Sequence, residues 1–321
     1  MNESINLQLL LDSIQKKPLV LFVGAGINCP RVPTWNQMLD GILHKVLSMK
    51  FSIDNLNAGQ LSALLKWHAN ALTVYEKASL VKIISGKQYH YFLKDILYKN
   101  AGVSPGETFV QAAALCRSGR VQAVVSYNYD DYLIREVAGF RQTFLGGSVF
   151  PSPYAARPAP GAAGPLAAGT GLPFYFVHGY IPGNANSTYL EKTDIVLSAD
   201  EYFNIMLDPY SWQTTSQVHF LRNSTCLFIG TSLSDWNMLR LIQTANDGKN
   251  AVFALMAEAS ILDRKCLASV GRMKKADSHA VRSNMVRTKA TILASFGVKL
   301  IYCGAEYKDI PIMMKRIGGS L

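Results

Sequence analysis

The chain has 321 residues, 49% of them apolar and 17% charged, with a formal net charge of +10. That composition excludes a disordered chain. No apolar run reaches the roughly 18 residues that crossing a bilayer needs, and the start, Met1-Asn2-Glu3-Ser4, lacks the basic region of a secretory signal, so a cytoplasmic protein without a membrane partner is expected.

The first residues to show a pattern are Leu7 to Ile14, which read as a short helix. Leu19–Val23 follows as a continuous apolar run and breaks into Gly24-Ala25-Gly26. A strand that ends in Gly-x-Gly can turn tightly and bring bare backbone up to a phosphate. The dinucleotide fingerprint is incomplete, because Cys29 stands where its third glycine would fall and no acidic residue marks the end of a second strand about 20 positions on. Next comes a well-marked helix. Thr34 and Gln37 have the spacing of a capping box, and Trp35, Met38, Leu39, Ile42, Leu43, Val46 and Leu47 form one apolar stripe. Residues from about 50 to 118 read as a helical insertion, with Leu61, Leu64, Leu65, Leu72, Ile83, Ile84, Phe92, Leu93, Ile96 and Leu97 as candidate core.

Further strands are expected at Ala123–Tyr127, Phe174–Val177, Cys226–Ile229, Ala251–Met256 and Val298–Tyr302. Continuous apolar runs of this kind mark strands covered on both faces. With helical stretches between several of them, they imply an α/β fold: a single Rossmann-like, doubly wound parallel sheet spanning residues 1–321. The stretch 151–173 holds six prolines among Ala and Gly and reads as a long loop. Eight basic residues between Arg264 and Lys289 face one acid, Asp277. They make a solvated helix face or a surface for an acidic protein, an anionic ligand or nucleic acid, the last without any supporting motif. The five cysteines lie far apart with no Cys-x-x-Cys pair, which argues against a zinc site and a disulfide framework. No metal is expected, and Cys226 and Cys303 read as buried thiols.

In open parallel sheets, ligands bind beyond the carboxyl ends of the strands. Four such ends carry distinctive residues: Gly24-Ala25-Gly26, Tyr127-Asn128-Tyr129-Asp130, His178-Gly179 and Gly230-Thr231-Ser232-Leu233. Each has a plain structural reading. Asn128 or Thr231-Ser232 would serve as helix caps, and His178 as a satisfied core histidine. Asp235 fits a helix start as well as a ligand contact. It is the conjunction of all four on one rim that points to a site.

In these segments, with Val32-Pro33-Thr34-Trp35, the chain resembles the SIR2-like superfamily, over roughly residues 18 to 303. The Pro-Thr-Trp form is similar to the bacterial antiphage-defence branch, and the missing zinc cysteines depart from the protein deacylases. The resemblance implies an NAD+ glycohydrolase that releases nicotinamide and ADP-ribose and depletes NAD+ during abortive infection. The other implied readings are an NAD-dependent deacylase and a non-catalytic NAD or ADP-ribose sensor subunit. His178 would then act as general base, Asn128 would position ribose or water, and Asp130 would bind the carboxamide or support the developing cation. Gly24, Ala25, Gly26, Trp35, Gly230, Thr231 and Ser232 would hold the dinucleotide. Since one domain uses nearly the whole chain, control is expected from homo-oligomerisation, a separate regulatory or sensor subunit, or both.

Overall fold

The structure, a computed structural model, describes residues 3–50, 59–60, 63, 71–138, 172–248, 250–262 and 270–320. Its centre is a six-stranded sheet of β1 (Leu19–Val23), β2 (Val121–Ser126), β3 (Phe174–Phe176), β4 (Thr225–Ile229), β5 (Ala251–Met256) and β6 (Val298–Tyr302). The strand order is β3-β2-β1-β4-β5-β6 and every pairing is parallel. The order reverses between β1 and β4, and a crevice opens at such a switch point beyond the strand ends.

The continuous apolar runs form strands because both faces are covered. Leu19, Leu21, Val23, Val124, Leu227, Ile229 and Phe253 belong to one buried cluster. It takes in side chains of α1 (Glu3–Ile14), α2 (Trp35–Lys50), α5 (Glu107–Arg117) and α13 (Asp309–Gly319). The alternate residues Val20, Phe22, Val125, Phe228, Val252 and Ala254 belong to the other. That cluster draws on α9 (Trp212–Asn223), α10 (Trp236–Ala245) and α12 (Lys275–Ser295). Phe22 and Phe228 stack across β1 and β4 with centroids 4.5 Å apart. Burying a side chain of this size contributes about 1.5–3 kcal/mol, so this two-sided core fixes where the strands end.

The stripe of α2 is buried as the spacing requires, with Trp35 half-buried at its head. Half of the expected capping box is present: the Gln37 side chain accepts from the Thr34 amide at 3.0 Å, while the Thr34 hydroxyl donates to Gln37 rather than accepting from the helix. A complete box starts α3 (Val74–Ser85), between Thr73 and Glu76. The buried face of α3 is Lys77, Ala78 and Val81, so Ile83, expected in the core, points the other way and is 78% exposed. Leu93 and Leu97 of α4 (Tyr89–Tyr98) are buried with Ala78 and Val81 in the same cluster as β1. Leu61, Leu64, Leu65 and the proline-rich loop up to residue 171 lie outside the described residues. Cys226 is buried as expected, but Cys303 falls one residue past β6 and is only half-buried.

Candidate functional site

The glycines at the ends of β1 and β4 interlock. The Gly24 amide donates to the Ile229 carbonyl at 3.0 Å and the Gly26 amide to the Gly230 carbonyl at 2.8 Å. A Cβ on Gly24 would lie 2.7 Å from the Gly230 oxygen, and one on Gly26 would lie 2.8 Å from it. Gly230 has φ +69°, and a Cβ there would stand 2.5 Å from the Ile27 nitrogen. The Gly-x-Gly sequence is therefore needed to pack two strand ends together, and the amides of Gly24 and Gly26 are already engaged. Ala25, which opens the 3-10 turn Ala25–Asn28, takes no part in those bonds.

The loop after β2 bends back onto this junction. Asn128, 8% exposed, donates from Nδ2 to the Gly24 carbonyl at 3.2 Å. It caps no helix. Asp130, 4% exposed, accepts from Asn28 Nδ2 at 2.8 Å and from the Tyr132 amide at 3.1 Å, at the start of α6 (Tyr132–Ala138). Burial pushes the Asp130 carboxyl up to about 7, with the neighbouring Asp131 adding to the rise and the bonds from Tyr132 and Asn28 opposing it. Asp131 is held by the Tyr98 hydroxyl and the Gly183 amide, both at 2.9 Å. Trp35 stacks on Tyr129 at 5.8 Å, and the Tyr129 hydroxyl donates to the Val196 carbonyl. Trp35 thus braces the loop that carries Asn128 and Asp130.

His178 stands two residues past β3. Ser126 pairs with Phe176 in the sheet, and both segments turn just beyond: the Gly179 amide donates back to the Phe176 carbonyl and the Asn128 amide to the Ser126 hydroxyl. Its half-buried ring packs edge-on against Tyr127 at 5.4 Å and Tyr202 at 5.8 Å. Burial lowers its pKa, against the opposing pull of the Asp235 carboxylate and a hydrogen bond to the Tyr127 main chain. The imidazole is therefore neutral at pH 7. Tyr202, on α8 (Ala199–Leu207), donates its hydroxyl to Asp235, and Tyr127 donates to Gln217 at 2.7 Å. Asp235 also caps α10, accepting from the amides of Asn237 at 2.8 Å and Met238 at 3.2 Å. The helix-start reading of Asp235 holds, and it takes the capping position that Thr231 and Ser232 were candidates for. Among the described residues no hydrogen bond joins His178 to Asn128; the ring that packs against His178 is that of Tyr127.

At the end of β4, Thr231 is half-buried and Ser232 exposed. Leu233 is a non-glycine residue at φ +47°, a conformation that costs about 1–2 kcal/mol. Its amide donates to Thr231 Oγ1 at 3.2 Å, its carbonyl accepts from Lys289 Nζ at 3.3 Å, and its side chain is buried. Two members of the basic stretch are thus committed to the fold: Lys289 here, and Arg282, which pairs with the buried Glu258 at 2.6 Å. Arg272, Lys274 and Arg287 are exposed, while Arg264 and Lys265 lie outside the described residues.

All four strand-end segments therefore meet at one rim around the switch point. The family model of the SIR2-like domain matches residues 122–272, which include Asn128, Asp130, His178 and Gly230–Ser232. Residues 122–272 carry a SIR2-like domain. Gly24, Ala25, Gly26 and Trp35 precede the matched residues and join the SIR2-like domain through the Asn128–Gly24 bond and the Trp35–Tyr129 stack. No curated protein matches the chain. A SIR2-like domain implies use of NAD+. Sequence reasoning missed Asn28, Tyr202 and Gln217. Among the described residues no group of three His, Cys, Asp or Glu could hold a metal ion, and no helix is long and apolar enough to cross a membrane.

Proposed function

We propose that the chain is an NAD+ glycohydrolase. The observation that carries this reading is a half-buried imidazole two residues past β3, on the same side of the sheet as a buried asparagine bonded to the glycine turn of β1. The dinucleotide lies across the switch point, its diphosphate at the Ala25 amide and its nicotinamide ribose between Asn128 and His178. The missing side chains of Gly24, Gly26 and Gly230 let the β1 and β4 ends close up beneath it, and Thr231 and Ser232 offer hydroxyls to the adenosine half.

The reaction breaks the bond between C1′ of the ribose and the pyridinium nitrogen. The bonding electron pair leaves with nicotinamide, which departs neutral, so the leaving group needs no strong acid. The sugar develops oxocarbenium character, as in glycoside hydrolysis. Water attacks C1′ and gives its proton to His178, so NAD+ and water become nicotinamide, ADP-ribose and one proton. The ring hydrogen bond to the Tyr127 main chain holds the imidazole in place, and general-base help of this kind is worth about 10²–10⁴-fold. Asn128, tethered to Gly24, positions ribose or water. The Asn28–Asp130 pair lies at the nicotinamide end.

In this reading the enzyme is an NAD+-depleting effector of bacterial antiphage defence. It is held in check as a homo-oligomer or by a separate subunit, with Arg272, Lys274 and Arg287 as exposed contacts. The test is incubation with NAD+ and its fluorescent etheno analogue, alone and in lysate from phage-infected cells. Nicotinamide and ADP-ribose should appear, and His178→Ala and Asn128→Ala should each lower turnover at least about a hundredfold with the fold intact. Transfer of an acyl group to ADP-ribose would instead indicate a deacylase, and binding without turnover a sensor.

A further inference from the structure

His178 leans on the stretch 194–202 with both its main chain and its ring. Its carbonyl accepts from the Val196 amide at 2.9 Å, and a Cβ on the adjoining Gly179 would collide with the Asp194 carbonyl. Further along, the Tyr202 ring packs edge-on against the imidazole while its hydroxyl donates to Asp235. Asp235 divides its oxygens: Oδ1 accepts from the two amides at the start of α10, and Oδ2 accepts from Tyr202. The helix cap does not use Oδ2. None of the residues of α8 is buried. Its N-terminus is fastened by Lys82 of α3, which reaches Ser198 at 3.2 Å, Asp200 at 3.0 Å and Glu201 at 2.9 Å. Its inner face is fastened by Tyr202, so this half-buried side chain ties the helix, the imidazole and the carboxylate together.

We propose that Tyr202 is a positioning residue for His178: its ring holds the imidazole against Tyr127, and its hydroxyl takes up the second oxygen of Asp235, the carboxylate whose charge acts on the imidazole. A hydrogen bond to an ionised acceptor is among the strong ones and draws the negative charge towards its donor. Burial and the Asp235 charge push the Tyr202 hydroxyl far above the ordinary phenol range, so it stays a donor at neutral pH. The other ionisable side chains packed here are Tyr127, whose hydroxyl is engaged by Gln217, and Tyr75 of α3, whose ring lies 6.0 Å from that of Tyr202. Burial raises both phenols, so both are neutral and Asp235 is the charge that has to be controlled. The catalytic part of this inference rests on the NAD+ reading above, which gives His178 its task, but the state of the ring can be read without turnover.

The experiment follows the full chain and its variants by two readouts: the pH profile of kcat/KM for NAD+, and an NMR titration of the His178 imidazole, assigned by its loss in His178→Ala. Tyr202→Phe keeps the wall and frees the Asp235 oxygen. The imidazole should then titrate about half a pH unit higher, and the acid limb of the profile should rise with it, opposite in direction to Asp235→Asn. The double variant should titrate as Asp235→Asn alone, because the hydroxyl acts only through the carboxylate. Tyr202→Leu removes the wall and should lower kcat at least about tenfold with a much smaller change in KM, while Tyr202→Phe retains most of kcat above the acid limb. Should Tyr202→Leu not fold, the titrations decide alone. A Tyr202→Phe imidazole that titrates as in the parent, or a folded Tyr202→Leu with parental kcat, would overturn the assignment and leave the NAD+ reading standing. If no protein in the set cleaves NAD+ under any condition, that reading fails, and the titrations still decide whether Tyr202 governs the imidazole.

Discussion

The two sides of the rim are built from different materials. On the β1–β2 side, Gly24, Asn28, Asn128 and Asp130 are joined by amide and carboxylate hydrogen bonds and are almost wholly buried. On the β3–β4 side, His178 stands between the rings of Tyr127 and Tyr202, whose hydroxyls reach Gln217 and Asp235. The first side fixes geometry by bonds with narrow angular demands. The second surrounds one titratable ring with flat, apolar walls and keeps its charge low. Under the proposed reading, positioning and proton handling fall to separate side-chain sets that meet at Tyr127-Asn128.

The comparison can be broken most forcefully at the junction that both sides share. Gly230→Ala would drive a Cβ into the Ile27 backbone and strain a left-handed residue, at about 1–3 kcal/mol for the overpacking and about 1–2 more for the conformation. Urea denaturation should register the loss, and nucleotide binding should fall with it. An unchanged midpoint would show that the strand ends are not interlocked.

The next largest effect sharpens the bonded side. Asp130 has a raised pKa in the fold, so between about 4 and 7 the native state holds a proton that the unfolded chain has given up. Stability must then fall as pH rises through that window, by up to about 1.4 kcal/mol per pH unit, and level off above the folded pKa of about 7. Asp130→Asn should remove that slope. Denaturation curves at pH 5 and pH 7.5 for both proteins provide the check, and equal slopes would mean that the carboxyl is solvated.

The smallest effect belongs to the aromatic side. The Asp235 carboxylate raises the His178 pKa, against burial. Asp235→Asn keeps a good helix cap and removes that charge, so the acid limb of the pH–rate profile should move to lower pH while the melting temperature changes little. A limb that stays in place would mean that Asp235 serves α10 alone.

The sheet was largely legible in the sequence. Leu19–Val23, Ala251–Met256 and Val298–Tyr302 have the expected boundaries because a strand buried on both faces is a single apolar run. The glycine turn, Asn128, His178 and the β4 loop were readable as a rim for the same reason: each directly follows such a run. What a glycine was for was less legible. Gly24 and Gly26 suggested phosphate binding, yet their amides turn out to be spent on β4, a contact that depends on a strand 200 residues away. Asn28 gave no local signal, since its partner Asp130 is 102 residues on. Tyr202 and Gln217 lie on helices where an aromatic or an amide residue looks like ordinary packing. Ile83 went wrong because one apolar residue cannot show which side of its helix faces inwards.

The interlocked glycines also limit how the crevice can breathe. With Gly24 and Gly26 bonded to the carbonyls of Ile229 and Gly230, and with no room for even a methyl group between them, the floor behaves as a weld. Entry of a molecule as long as a dinucleotide has to be accommodated by the walls, where Tyr202 is anchored to Asp235 by one hydroxyl. Substitutions that slow admission without altering chemistry should therefore map to the walls.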